Sequence, residues 1–172
     1  MSKSATRVAF VQSCWHRDIV DQARLAFLKD LSKAGFRRSG VSCFEVPGAF
    51  EIPLQAKLLA KSGHFAAIVA AGFVVDGGIY RHEFVASTVI DALMAVQLET
   101  EIPVISAVLT PKNFHEHAEH LSFFRHHFVK KGAEAAAACI ATLNNMDTLK
   151  SLAGPEYRRG SESRRSAGRE AP

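Results

Sequence analysis

The chain has no apolar run approaching the roughly 20 residues that cross a bilayer, so no membrane-spanning helix is expected. Met1 to Thr6 is short and polar, without the apolar stretch of a secretion signal. Cysteine is scarce: Cys14, Cys43 and Cys139 are scattered, odd in number and never spaced C-x-x-C. That argues against a disulfide framework and suits a reducing cytoplasm. Neither G-x-G-x-x-G nor a Walker sequence occurs, so neither a dinucleotide nor a nucleoside triphosphate is indicated. H-E-x-x-H is missing too, although His115, His117, His120, His126 and His127 crowd into one segment. In F-H-E-H-A-E-H, adjacent and i+2 histidines point to different faces of a helix, so no protein-bound metal is expected. A polar surface, a phosphate contact or a subunit interface is the reading for that segment.

What is present is an ordinary globular composition, 48% hydrophobic and 22% charged, in 172 residues, which is enough for one compact domain. The net charge of +4 invites a nucleic-acid reading. Most of it lies at the end: from Tyr157 onward, Arg158, Arg159, Arg164, Arg165 and Arg169 face only Glu162 and Glu170, a net +3. The expected organisation is therefore a near-neutral domain over residues 1–152 and a basic, disordered tail over 153–172, with no nucleic-acid partner.

Short apolar runs alternate with helical periods. Arg7–Gln12, Val41–Val46, Ala66–Val75 and Pro103–Leu109 read as strands; the third is apolar almost throughout, as in a central strand covered on both faces. Asp18–Ala34 carries Ile19, Ala23, Ala26, Phe27, Leu31 and Ala34 on one stripe, with Gly35 placed to end the helix. Further helices are expected over Glu51–Lys61, over about His82–Glu99 with Val85, Val89, Ala92 and Val96 inward, over a short Asn113–His120, and over about Phe128–Asn144. Four such alternations predict a four-stranded parallel sheet in a three-layer α/β/α sandwich. Ligands in such folds bind at the carboxyl ends of the strands, which directs attention to Ser13–His16, Pro47–Glu51, Phe73–His82 and the segment from Ser106 onward.

The strongest local feature is the strand-Asp-Gly-Gly-helix turn at residues 70–85. Gly77 and Gly78 permit close backbone approach, and the first amides of the next helix are unpaired donors, together an anion site or simply a tight turn. Arg81 could hold a phosphate and His82 could move protons, or each is a surface residue. Trp15, the single tryptophan, is either a stacking platform for a planar ring or a loop anchor. Glu51 either accepts hydrogen bonds from hydroxyls or favours its own helix N-terminus.

The segments V-P-G-A-F-E-I-P (46–53), G-F-V-V-D-G-G-I-Y-R-H-E-F-V (72–85), P-V-I-S-A-V-L-T (103–110) and K-K-G-A-E-A-A (130–136) together resemble lumazine synthases, over roughly residues 6–145. The resemblance implies a flavodoxin-like fold and the condensation of 5-amino-6-(ribitylamino)uracil with 3,4-dihydroxy-2-butanone 4-phosphate. The products are 6,7-dimethyl-8-ribityllumazine, phosphate and water, and no cofactor or metal is required. Carried over by position, it implies that Trp15 stacks on the pyrimidine and that Ala49 and Glu51 hold the ribityl chain, with Phe50 between them also counted as substrate-binding. Phe73, Val74 and Val75 line the pyrimidine pocket, Gly77, Gly78 and Ile79 form the phosphate turn, and Lys131 stands beside the site.

The departures matter as much. Asp76 replaces an arginine, the family's proton-transferring histidine falls on Arg81 with His82 one residue later, and its phosphate-binding arginine falls on His120, with Arg125 nearby. Ser106 replaces an aromatic, and Leu121–Phe128 is about three residues longer than usual. These changes resemble the second type of lumazine synthase, which forms decamers from two pentamers. Because sites in the family lie between neighbouring subunits, Ser106, His120 and Lys131 are expected to meet Trp15 and Glu51 across an interface. The lost residues also leave room for a catalytically weak paralogue that binds flavin or lumazine.

Overall fold

A computed structural model of the protein describes residues 6–152; the expectations for the basic tail and for Met1–Ala5 lie outside the described residues. Four strands, β1 (Val8–Ser13), β2 (Val41–Val46), β3 (Ala67–Phe73) and β4 (Val104–Leu109), form one parallel sheet in the order β2-β1-β3-β4. Between and after them run α1 (Arg17–Lys33), α2 (Ile52–Lys61), α3 (His82–Thr100) and α4 (Ala118–Leu152). The strand order reverses direction between β1 and β3, which creates the crevice where open α/β sheets take ligands.

Two cores sandwich the sheet. Val8 and Phe10 of β1, and Ala67, Val69, Ala71 and Phe73 of β3, face α1 and α4; Ala9, Val11, Ile68 and Ala70 face α2 and α3. The strict alternation follows from the period of two along a strand. All seven residues of β3 are buried, the reason its sequence is a continuous apolar run. This is the expected three-layer α/β/α arrangement.

Gly35 ends α1 as expected. It adopts φ 91°, and its amide bonds Ser32 O while that of Phe36 bonds Leu31 O, a Schellman close with Phe36 packed into the same core as Leu31. Two helical expectations need correction. The inward residues of α3 are Ala86, Val89, Leu93 and Val96, whereas Val85 is exposed and Ala92 half-buried. The separate helices expected over Asn113–His120 and Phe128–Asn144 are one continuous helix, α4, starting at Ala118. Leu121, Phe124 and Phe128, spaced i, i+3 and i+7, carry an apolar stripe across the supposed gap and pack on the core under α1.

Cys139 lies wholly buried in that core, and burial pushes its thiol up to about 12. Alkylation of the native protein at pH 8 is therefore expected to label exposed Cys43 while Cys139 reacts only after unfolding, as read by peptide mass spectrometry. Equal labelling of the two would contradict this packing.

Candidate active site

The carboxyl ends of β1 and β2 build a cradle. The Cys14 amide bonds Val46 O (2.9 Å), tying the two strand ends together just before Trp15. Trp15 is 71% exposed, and its ring edge lies over Gly48: a Cβ added there would sit 3.9 Å from Trp15 Cε2 and 3.1 Å from Glu51 Oε2. Gly48 donates its amide to Glu51 Oε2 at 2.8 Å. Ala49–Glu51 forms a single 3-10 turn leading into α2, with Ala49 buried and Phe50 exposed. One carboxylate oxygen of Glu51 is thus held in place by the backbone.

The floor is closely packed. A Cβ at Gly72 would lie 3.2 Å from Ser13 Oγ and 3.3 Å from Ile52 Cδ1, so any larger residue there would have to push these side chains aside by a few tenths of an ångström. Ser13 is fully buried, and among the described residues its hydroxyl has no hydrogen-bond partner. Nothing in the sequence distinguishes it from an ordinary strand-end serine.

Phe73 ends β3 within a cluster of rings formed by His16, Phe114, Phe124 and Phe128. The next residue, Val74, gives its amide to Leu109 O (2.9 Å), and Val75 is half-buried. The Asp-Gly-Gly turn then projects outward, with Gly77, Gly78, Ile79 and Tyr80 exposed. Gly78 has φ 78° and donates its amide to Asp76 Oδ1 (2.7 Å). The first amides of α3 follow, with no side chain capping them. Arg81 lies over the Phe84 ring (4.9 Å to its centroid), and His82 Nδ1 is 3.5 Å from Glu83 Oε2 with a mostly covered side chain.

A family model for 6,7-dimethyl-8-ribityllumazine synthase matches residues 5–147, which contain every segment just described. The chain belongs to this family. It is 61% identical over 143 residues to a 6,7-dimethyl-8-ribityllumazine synthase of Rhodococcus erythropolis, covering 83% of this chain and 92% of that protein. To a protein of Pseudomonas syringae pv. tomato named 6,7-dimethyl-8-ribityllumazine synthase 2 it is 60% identical over 146 residues, 85% of this chain and 86% of the relative. A 6,7-dimethyl-8-ribityllumazine synthase of Xanthomonas euvesicatoria is 34% identical over 146 residues, covering 85% and 93%.

Of the positions that the lumazine synthase resemblance singles out, one copy of the chain gathers Trp15, Ala49 and Glu51. Ser106 stands apart from them. Ser106 lies mid-strand on edge strand β4, registered with Ala70 on β3, so two strand spacings, roughly 10 Å, separate it from β1. Lys131 pairs with Glu134 on its own helix (2.7 Å), and this hydrogen bond holds the Glu134 carboxyl below its ordinary range. His120 accepts the His115 amide on Nδ1 (3.2 Å) and stacks on the His115 ring, which leaves Nε2 as its outward nitrogen. Arg125, the alternative for the anion, is engaged by Asp18 at the start of α1 (Nε to Oδ2, 2.8 Å). Among the described residues, no three His, Cys, Asp or Glu side chains are grouped so as to hold a metal ion.

Proposed function

We propose that the chain is a cytoplasmic 6,7-dimethyl-8-ribityllumazine synthase of the second, decameric type. It condenses 5-amino-6-(D-ribitylamino)uracil with 3,4-dihydroxy-2-butanone 4-phosphate in riboflavin biosynthesis. The observation that carries this reading is the cradle of Trp15, Gly48 and Glu51, lying inside a sequence about 60% identical to relatives bearing that enzyme's name. The functional domain is residues 1–152. No nucleic acid, membrane or cofactor takes part.

Trp15 offers a free ring face to the pyrimidine, and the outer oxygen of Glu51 accepts a ribityl hydroxyl beside Ala49 and Phe50. With the Val74 amide already used, the pocket formed by Phe73, Val74 and Val75 reads the pyrimidine through its remaining backbone groups. Imine formation, phosphate loss and ring closure then need proton transfers between reactants held in register, which is mainly a task of positioning. The phosphate sits at the turn of Gly77, Gly78 and Ile79, where the start of α3 favours an anion. Arg81 supports the phosphate and developing negative charge. His82 is the proton relay.

Ser106, His120 and Lys131 reach the cradle from a neighbouring copy, His120 contributing its Nε2 to the phosphate. Leu54 and Leu58 of α2 with Ile90, Met94 and Leu98 of α3 make an exposed apolar face, the kind of surface that a pentamer covers. Light scattering is expected to give a mass of five or ten subunits; a mass near the 18.7 kDa of one chain would contradict the shared site.

The roles of Arg81 and His82 separate in steady-state kinetics. Arg81→Ala is expected to raise KM for the phosphate-bearing substrate by roughly 10- to 100-fold, as for loss of a charge-assisted contact. His82→Ala is expected to lower kcat by about 100-fold with little change in either KM. The reverse pattern would exchange their roles, and wild-type kinetics in both variants would remove this turn from the site.

A further inference from the structure

His16 occupies a backbone position that its side chain does not explain by capping. It is the N-cap of α1, with φ 50° and ψ 45°, and it makes no side-chain cap hydrogen bond. Serine, threonine, asparagine and aspartate are the usual residues there, and a non-glycine residue at positive φ is uncommon. Only its carbonyl serves the helix, accepting the amides of Ile19 (2.9 Å) and Val20 (3.1 Å). The ring is engaged elsewhere. It meets Phe73 edge-on at 5.7 Å between centroids and Phe114 edge-on at 5.1 Å. The left-handed turn thus sends two adjacent aromatic side chains to different surroundings: His16 onto the ring cluster at the ends of β3 and β4, and Trp15 outward over Gly48.

We infer that His16 is a positioning residue, which fixes the gap between the Trp15 ring and the strand end Phe73–Val75 so that the slot for the pyrimidine is formed before the substrate arrives. This rests on the reading of Trp15 as the stacking platform. Phe73 begins the segment Phe73–Val75 that lines the slot from one side, and Trp15 immediately precedes His16 on the other. The ring-on-ring contact between His16 and Phe73 is therefore the short mechanical link between the two walls. Phe114 braces the same ring from the loop that leads to His120. Strain held at a ligand clamp by surrounding packing is a recurrent arrangement, and a slot formed in advance lowers the ordering cost of binding.

His16→Asn and His16→Gly test this. Both residues tolerate positive φ and both remove the ring. Because Trp15 is the only tryptophan, time-resolved fluorescence anisotropy reads its motion without labelling. In both variants the fast, nanosecond component of the decay is expected to grow. KM for the ribitylaminouracil is expected to rise about tenfold, while KM for the butanone phosphate and kcat at saturation stay within about twofold. A merely structural role for His16 would lower kcat and raise both KM values together, without selective loosening of Trp15, and that pattern overturns the inference. So do wild-type anisotropy and KM in both variants. Trp15→Ala is measured alongside: if it leaves KM for the ribitylaminouracil unchanged, the stacking reading itself fails, whereas a large rise in Trp15→Ala with none in the His16 variants defeats the link alone.

Discussion

Replacing Gly132 by alanine is expected to lower the melting temperature by roughly 2–8 °C. The new methyl group would sit 2.2 Å from Ala23 O and 2.8 Å from Ala23 C and Cα, which is backbone and not the tip of a flexible side chain. α1 and α4 touch at this point, and the buried residues that follow on α4, Ala135, Ala136 and Cys139, are small as well. To admit the methyl the helices must part, and parting them loosens the core containing Phe27, Leu31 and Phe128. Alanine is the better helix former by about 1 kcal/mol. Overpacking of a close backbone contact costs about 1–3 kcal/mol and at times more, with the disruption of both helix faces adding to it. An approach of 2.2 Å to a backbone oxygen puts the packing loss toward the upper end of that range, so it exceeds the propensity gain by about 1–2 kcal/mol. Thermal unfolding followed by circular dichroism checks this, and an unchanged or raised midpoint would mean that α1 and α4 are not seated as described.

Glu51→Ala is expected to raise KM for the ribitylaminouracil by up to about 100-fold, with a smaller effect on the butanone phosphate. Two losses combine. A charge-assisted hydrogen bond to a substrate hydroxyl is worth about 1.5–3 kcal/mol. The Gly48 amide, which gives Glu51 Oε2 its 2.8 Å bond, also loses the acceptor that shapes the turn. Glu51→Gln keeps an oxygen for Gly48 while removing the charge, so it should fall between wild type and alanine, nearer a tenfold effect. Equal losses in glutamine and alanine would assign the whole contribution to charge. No loss in either would take Glu51 out of the site.

The sheet was legible because its chemistry is stark: β3 must be apolar on both faces, and a run such as Ala67 to Phe73 admits little else. Gly35, placed just past a periodic stripe, marked the end of α1 for the same direct reason. α3 misled the pattern because it is apolar nearly all round. Phe84, Val85, Ile90, Met94 and Leu98 are exposed, so the stripe could be drawn through Val85 and Ala92 as readily as through Ala86 and Leu93. The histidines of 115–127 hid a helix, since polarity outweighed the spacing of Leu121, Phe124 and Phe128.

At the candidate site, motif positions located the Trp15, Ala49 and Glu51 cradle and the Asp-Gly-Gly turn. They could not show that Asp76 takes the Gly78 amide or that Asp18 takes Arg125, because both are choices among side chains made in three dimensions. His16 was passed over for a related reason. Positive φ is advertised by glycine and asparagine, and a histidine held there by ring packing gives no sequence signal.

Turnover decides most directly whether the protein is the enzyme. Purified protein supplied with 5-amino-6-(D-ribitylamino)uracil and 3,4-dihydroxy-2-butanone 4-phosphate is followed at once by lumazine fluorescence and by phosphate release. The two are expected to rise together, one phosphate for each lumazine, without added metal or cofactor. No turnover beyond the uncatalysed background, together with tight binding of riboflavin or of the pyrimidine, would contradict the enzyme and leave a ligand-binding paralogue in its place.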